Sequence, residues 1–97
     1  MIAIQKTPLF PLGRIVATPG AIEALENSQT SASELLNRHV VGDFGDDIGA
    51  EDRRANLIAI NSDARILSAY TLKTGDRLWI ITEADRSSSC LLLPEEY

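Results

Sequence analysis

Residues 64–97 read ARILSAYTLKTGDRLWIITEADRSSSCLLLPEEY, three short apolar runs divided by two polar breaks. The first run, 65–72, has the β-branched and aromatic character of a strand in Ile66, Tyr70 and Thr71. Lys73-Thr74-Gly75-Asp76 suits a hairpin connection, because Gly75 can take the left-handed conformation a tight turn needs. The second run, Leu78-Trp79-Ile80-Ile81-Thr82, is apolar on both alternating faces, as a strand with cover on each side would be. The break at 83–88 leads to Cys90-Leu91-Leu92-Leu93, closed by Pro94. The pattern predicts an antiparallel meander with 78–82 in its middle.

The preceding residues read as cover for that sheet. Residues 1–14 form an irregular leader: Pro8 and Pro11 remove backbone donors and Gly13 adds a break. Ile15-Val16-Ala17 is a candidate short strand. Thr18-Pro19 is a helix start, a capping hydroxyl followed by proline at the first helical position. That helix runs to about Asn27 with Ala21, Ile22 and Leu25 on its apolar side. Ser31-Ala32-Ser33-Glu34 matches the capping-box pattern of a second helix, which Gly42 ends. Glu51 and Asp52 put negative charge where the dipole of a third helix favours it. Its Leu57-Ile58-Ala59-Ile60 run fits a strand as well. The expected fold is α+β, one domain over 1–97. Two or three short helices, within a mainly helical segment 18–60, pack on a C-terminal antiparallel meander of three strands, or alternatively four, spanning 64–97.

Composition narrows the function classes. The chain has 97 residues, 44% hydrophobic and 24% charged, as an ordinary globular domain does. No apolar run approaches the roughly 18 residues of a membrane span, and the N-terminus makes a poor signal peptide. One cysteine, Cys90, allows no internal disulfide, so a cytoplasmic location is expected. The net charge of −5 argues against a protein that holds nucleic acid through phosphates. Asp43, Asp46, Asp47, Glu51 and Asp52 fall within ten residues that contain no Lys or Arg. Such a stretch suits a basic protein partner, or a solvated loop. Its spacing departs from the calcium-binding EF-hand loop, with Gly45 and Ile48 where that loop needs an oxygen ligand and its glycine. One histidine and one cysteine give no zinc set, so no metal and no cofactor is expected.

Several segments carry a resemblance. RILSAYTL, DRLWIITEADRS and the terminal LLLPEEY, with IVATPGAIEAL and RHVVGDFGD upstream, resemble the small plasmid-related proteins of bacterial plasmids, integrative elements and phages. Members are also labelled subunits of type I restriction enzymes. A methyltransferase subunit needs a cofactor-binding α/β domain, for which this sequence has no glycine fingerprint. Phe44 stands where the family pattern has tryptophan, and Ser88-Ser89-Cys90 where it has a threonine-rich segment. The resemblance implies a mobile genetic element and no particular chemistry.

Two functions compete on these residues. The first is a non-catalytic accessory protein of a mobile element, a counter-defence inhibitor that occupies a partner's surface through Asp43, Asp46, Asp47, Glu51 and Asp52. The second is a small metal-independent ribonuclease or toxin-like enzyme. There His39 would be the acid or base, Arg86 would stabilise the phosphate, and Ser87 or Ser88 would position it. Asp43 lies four residues after His39 and could orient it. Asp85, Arg86 and Glu83 could equally satisfy one another within a turn, with Arg86 paired to Glu83. Trp79 and Tyr70 suit either core packing or stacking on a partner. The expected partner is another protein. A homodimer through 91–93 would cover what is expected to be an exposed apolar sheet edge.

Overall fold

A computed structural model of the chain describes residues 7–97, so part of the leader, including Lys6, lies outside the described residues. The elements are β1 (Arg14–Ala17), α1 (Pro19–Asn27), α2 (Ala32–Val40), α3 (Ala50–Ala59), β2 (Ile66–Thr71), β3 (Arg77–Thr82) and β4 (Ser88–Leu92), followed by a 3₁₀ turn at Pro94–Glu96. The fold is α+β, three helices and one mixed four-stranded sheet. No helix among the described residues is long and apolar enough to cross a membrane.

The helix starts follow from side-chain capping. Thr18 Oγ1 accepts the Ala21 N–H at 3.1 Å, with Pro19 behind it, and Ser31 Oγ accepts the Glu34 N–H at 3.1 Å. Each bond satisfies one of the donors a first helical turn leaves orphaned. The 57–60 run is helical through Ala59, and it buries one narrow side. Asn56 and Ala59 face inward, while Leu57 and Ile58 remain 54% and 64% exposed.

The sheet order is β1-β4-β3-β2. Strands β2, β3 and β4 are antiparallel neighbours, with Ser68 opposite Ile80 and Ile80 opposite Leu91. The fourth strand changes the sheet's character. β1 pairs with β4 in parallel, Val16 beside Cys90, so the sheet is mixed and not wholly antiparallel. The meander leaves the outer side of β4 unpaired, and β1 supplies the missing partners. Arg14 N–H donates to the Ser87 carbonyl at 2.9 Å and Thr18 N–H to the Leu91 carbonyl at 3.0 Å. The 91–93 segment therefore starts inside the sheet. The expectation of a dimer through that run as an exposed edge is corrected, since β1 already occupies it.

All three helices use one face of the sheet. Ala21, Leu25, Leu35 and Leu36 pack with Tyr70, Leu78, Ile80 and Leu91. A second cluster, under the leader, joins Phe10, Val40, Phe44, Ala59 and Ile66. The outer edge of β2 is closed by side chain and loop together. Asn56 accepts the Leu67 N–H at 3.0 Å and donates to the Leu67 carbonyl at 2.6 Å, the two bonds a neighbouring strand would make. Ala69 N–H donates to the Phe44 carbonyl at 2.9 Å. Gly45 (φ +93°) lies so close that a Cβ there would sit 2.0 Å from the Ala69 carbonyl oxygen.

Replacing Asn56 by alanine removes both edge bonds and strands two backbone groups, at a cost of about 2 kcal/mol. Urea denaturation should show the lower midpoint with an unchanged slope. A midpoint equal to that of the native protein would mean that Asn56 does not guard the edge.

Candidate functional site

The single histidine is entirely inside. His39 lies in the last turn of α2 with no exposed surface, between Phe10 and Phe44, whose rings meet it edge-on at 5.1 and 6.4 Å. Its two nitrogens meet hydroxyls on different strands. Nδ1 lies 2.5 Å from Ser68 Oγ and Nε2 lies 2.8 Å from Thr82 Oγ1. Thr82 Oγ1 is 2.7 Å from Ser89 Oγ, which donates to the Leu12 carbonyl at 2.8 Å.

The direction of this chain follows from its end. The Leu12 carbonyl can only accept, so Ser89 spends its proton there and accepts from Thr82. Thr82 in turn accepts from Nε2–H, and Ser68 donates to Nδ1. Every proton is used once with the imidazole neutral, and no buried side-chain polar atom among the described residues lacks a partner. A second ring proton would point at a hydroxyl already acting as donor. Burial lowers the His39 pKa to about 4. The three hydroxyl partners were legible only as an oddity: Ser68, Thr82 and Ser89 occupy inward positions of apolar strands, in step with Ile66, Ile80 and Leu91.

Arg86 is committed to the backbone. Its own φ is +61°, a left-handed conformation that costs a non-glycine residue energy. The turn aims its guanidinium at five carbonyls: Ala64 at 2.7 Å, Glu83 at 3.0 Å and Ala84 at 3.2 Å from Nη1, Ala59 at 2.5 Å and Ser62 at 3.1 Å from Nη2. Ala59 is the last residue of α3, so a cation sits where the helix dipole is negative. The expected Arg86–Glu83 ion pair is corrected: Glu83 pairs with Arg65 at 3.3 Å, and Arg86 takes only the Glu83 carbonyl. Asp85 accepts the Ser87 N–H at 3.0 Å, and its hydrogen bonds with Ser87 hold its carboxyl below the ordinary range.

The four residues of the ribonuclease reading do not meet in one cleft. Phe10 contacts both His39, edge-on, and Arg86, whose guanidinium carbon lies 5.9 Å from the ring centre, and the two candidates are bound to different partners. A hollow of about 310 Å³ beside Arg86 is bounded by Leu9, Phe10, Ile60 and Asp63, and the buried His39 does not line it. Ser87 is exposed. Ser88 pairs in register with Arg14 on the opposite sheet face from Ser89.

Asp43 does not orient His39. Its carboxylate takes Arg38 in a fork, at 2.7 and 3.2 Å, and its carbonyl accepts the Tyr70 hydroxyl at 2.6 Å. Arg38 also lies 4.7 Å over the Tyr70 ring, whose hydroxyl burial pushes up to about 12. Asp47 pairs with Arg77 at 3.1 Å. Asp46, Glu51 and Asp52 are exposed and form no ion pair among the described residues. No cluster of three or more His, Cys, Asp or Glu placed to hold a metal ion occurs among the described residues.

The other sheet face carries no α-helix among the described residues. Trp79 is half-buried there and meets Tyr97 edge-on at 5.7 Å, while the Tyr97 hydroxyl accepts from Arg65 at 3.0 Å. With Leu67 and Ile81 they enclose a largely apolar hollow of about 300 Å³. Tyr70, by contrast, is core on the helix-covered face. No known protein-family model matches the chain, and no curated protein or solved structure is significantly similar to it.

Folded His39 stays neutral down to about pH 4, whereas unfolded histidine takes a proton below about 6.5. The unfolded state therefore binds more protons across that window. His39's contribution is complete above pH 6.5 and falls by about 3 kcal/mol as pH drops to 4. Denaturation midpoints measured from pH 7 to 4.5 should decline, and His39→Gln should flatten the decline. A midpoint insensitive to pH would contradict the buried neutral imidazole. For Arg86→Lys, the loss of fork geometry should cost about 1–3 kcal/mol in the same assay.

Proposed function

We propose that this chain is a non-catalytic protein-binding protein that acts by occupying a basic surface on its partner. One contrast carries this reading. The groups suited to chemistry, His39 and Arg86, are consumed by internal hydrogen bonds, whereas Asp46, Glu51 and Asp52 stand exposed at and just before the first turn of α3. Asp43 and Asp47, in the same acidic stretch, already hold Arg38 and Arg77, which leaves them less charge to offer.

The rest of α3 supports the same surface. Helical spacing turns Glu51, Arg54, Leu57 and Ile58 toward one side, and Leu57 and Ile58 are among the most exposed large apolar residues described. Apolar contact flanked by unpaired carboxylates is a common composition for a protein interface. The resemblance to plasmid-related proteins adds a setting: a bacterial mobile element, with counter-defence as the role for a protein that blocks a host surface. A ribonuclease built on His39, Arg86, Ser87 and Ser88 would first have to expose a fully buried imidazole and release a guanidinium from five carbonyls.

The test is capture from a bacterial lysate on immobilised protein. The native chain should retain a partner that elutes with salt, and Asp46→Asn/Glu51→Gln/Asp52→Asn should weaken that retention about tenfold or more. Circular dichroism serves as the folding control. Identical retention by the two proteins would refute the acidic surface. Metal-independent RNA cleavage abolished by Ser87→Ala/Ser88→Ala would refute the non-catalytic reading.

A further inference from the structure

The two edges of the sheet are built differently. The β2 edge is closed by Asn56 and by the loop through Phe44. The β1 edge is bare among the described residues: all four residues of Arg14–Ala17 are exposed, with Ile15 at 45% and Val16 at 39%. In a parallel pair, alternate residues turn both backbone groups toward the neighbour. Arg14 and Thr18 donate to β4, so Ile15 and Ala17 direct their N–H and carbonyl groups outward. Two donors, two acceptors and two β-branched side chains lie on an unguarded edge, which is a template for another strand.

We propose that this edge binds a second copy of the same chain, β1 against β1 across a two-fold axis. The outward groups are self-complementary in one antiparallel register. Ile15 of one chain lies opposite Ala17 of the other, each such pair exchanging two hydrogen bonds, and Val16 meets Val16 on the axis. Two four-stranded sheets become one of eight strands. A slip of one residue toward the N-terminus would bring Gly13 into the ladder. Its φ of +66° departs from strand geometry, and its Cα is packed against the Arg86 and Ser87 backbone.

Charge supports the same register and distinguishes a second copy from an unrelated peptide. Antiparallel pairing about Val16 sets Arg14 opposite Thr18 of the other chain. The Thr18 hydroxyl donates to Glu96 Oε1 at 2.6 Å, and this bond together with one from the Leu93 N–H holds the Glu96 carboxyl below its ordinary range. Arg14 is exposed and forms no ion pair among the described residues. The two-fold thus places two Arg14–Glu96 pairs on either side of the central valines, each joining a lone cation to a fixed anion. This assembly does not depend on the acidic surface at α3, which lies on a different element.

Sedimentation equilibrium of the full chain, with cross-linking, tests the register. The protein should reach twice the 10.6 kDa of one chain. Ala17→Pro removes an outward N–H and none from the β4 ladder, and it should give a folded monomer. Arg14→Glu should weaken association about tenfold or more by setting like charges together, and Arg14→Glu/Glu96→Arg should recover it. In a Cys90→Ser background, Val16→Cys should oxidise to a covalent dimer, because a non-hydrogen-bonded pair brings Cα atoms to about 4.5 Å. Ile15→Cys, offset from its own copy, should not. A monomer at every concentration, a dimer that survives Ala17→Pro, or equal cross-linking at positions 15 and 16 would overturn the proposal. So would a monomer whose β1 edge takes up only an extended peptide.

Discussion

The buried imidazole is the point on which the other elements depend. Ser68, His39, Thr82, Ser89 and the Leu12 carbonyl join β2, α2, β3, β4 and the leader in one chain of hydrogen bonds. Each link is satisfied only while the others hold, since an unpaired polar group in this interior costs far more than a bond contributes. Apolar contacts alone are non-directional and would leave a helix more freedom to settle over the sheet. The hydrogen-bond chain fixes where α2 sits over the sheet. The same commitment withdraws the only histidine from solvent.

A similar economy governs the margins. Arg86 gathers the end of α3 and the 83–88 turn by filling carbonyls that helix and turn cannot satisfy themselves. Asn56 does for the β2 edge what another strand would do. Both use a polar side chain, one of them the candidate Arg86, to complete the backbone. The surfaces left over among the described residues are the unpaired carboxylates and apolar residues of α3, the half-buried hollow at Trp79, and the open strand β1.

Local signals carried much of the fold. Capping hydroxyls at Thr18 and Ser31 set two helix starts, Gly75 its hairpin, and the run at 78–82 an inner strand, because these depend on neighbours in the chain. The 57–60 run was ambiguous for the same reason: four apolar residues fit helix and strand alike until something packs on them. For the candidate residues the sequence was less informative. His39–Asp43 spacing and the Glu83, Asp85, Arg86 cluster both suggested pairings, and the folded chain gave Asp43 to Arg38 and Glu83 to Arg65.

What the sequence determined alone was the α+β class, the positions of caps and turns, and an acidic balance poorly suited to gripping phosphates. Local hydrogen bonds, periodicity and net charge suffice for these. Tertiary structure alone decided that β1 joins β4 in parallel, that among the described residues one edge is guarded and the other bare, and that the two His39 nitrogens meet hydroxyls on two different strands. Each of those rests on contacts between residues far apart in the chain, such as Ser89 with Leu12 or Ser68 with His39. Spacing along the chain does not encode such contacts; only the packing of helices on a sheet brings them together.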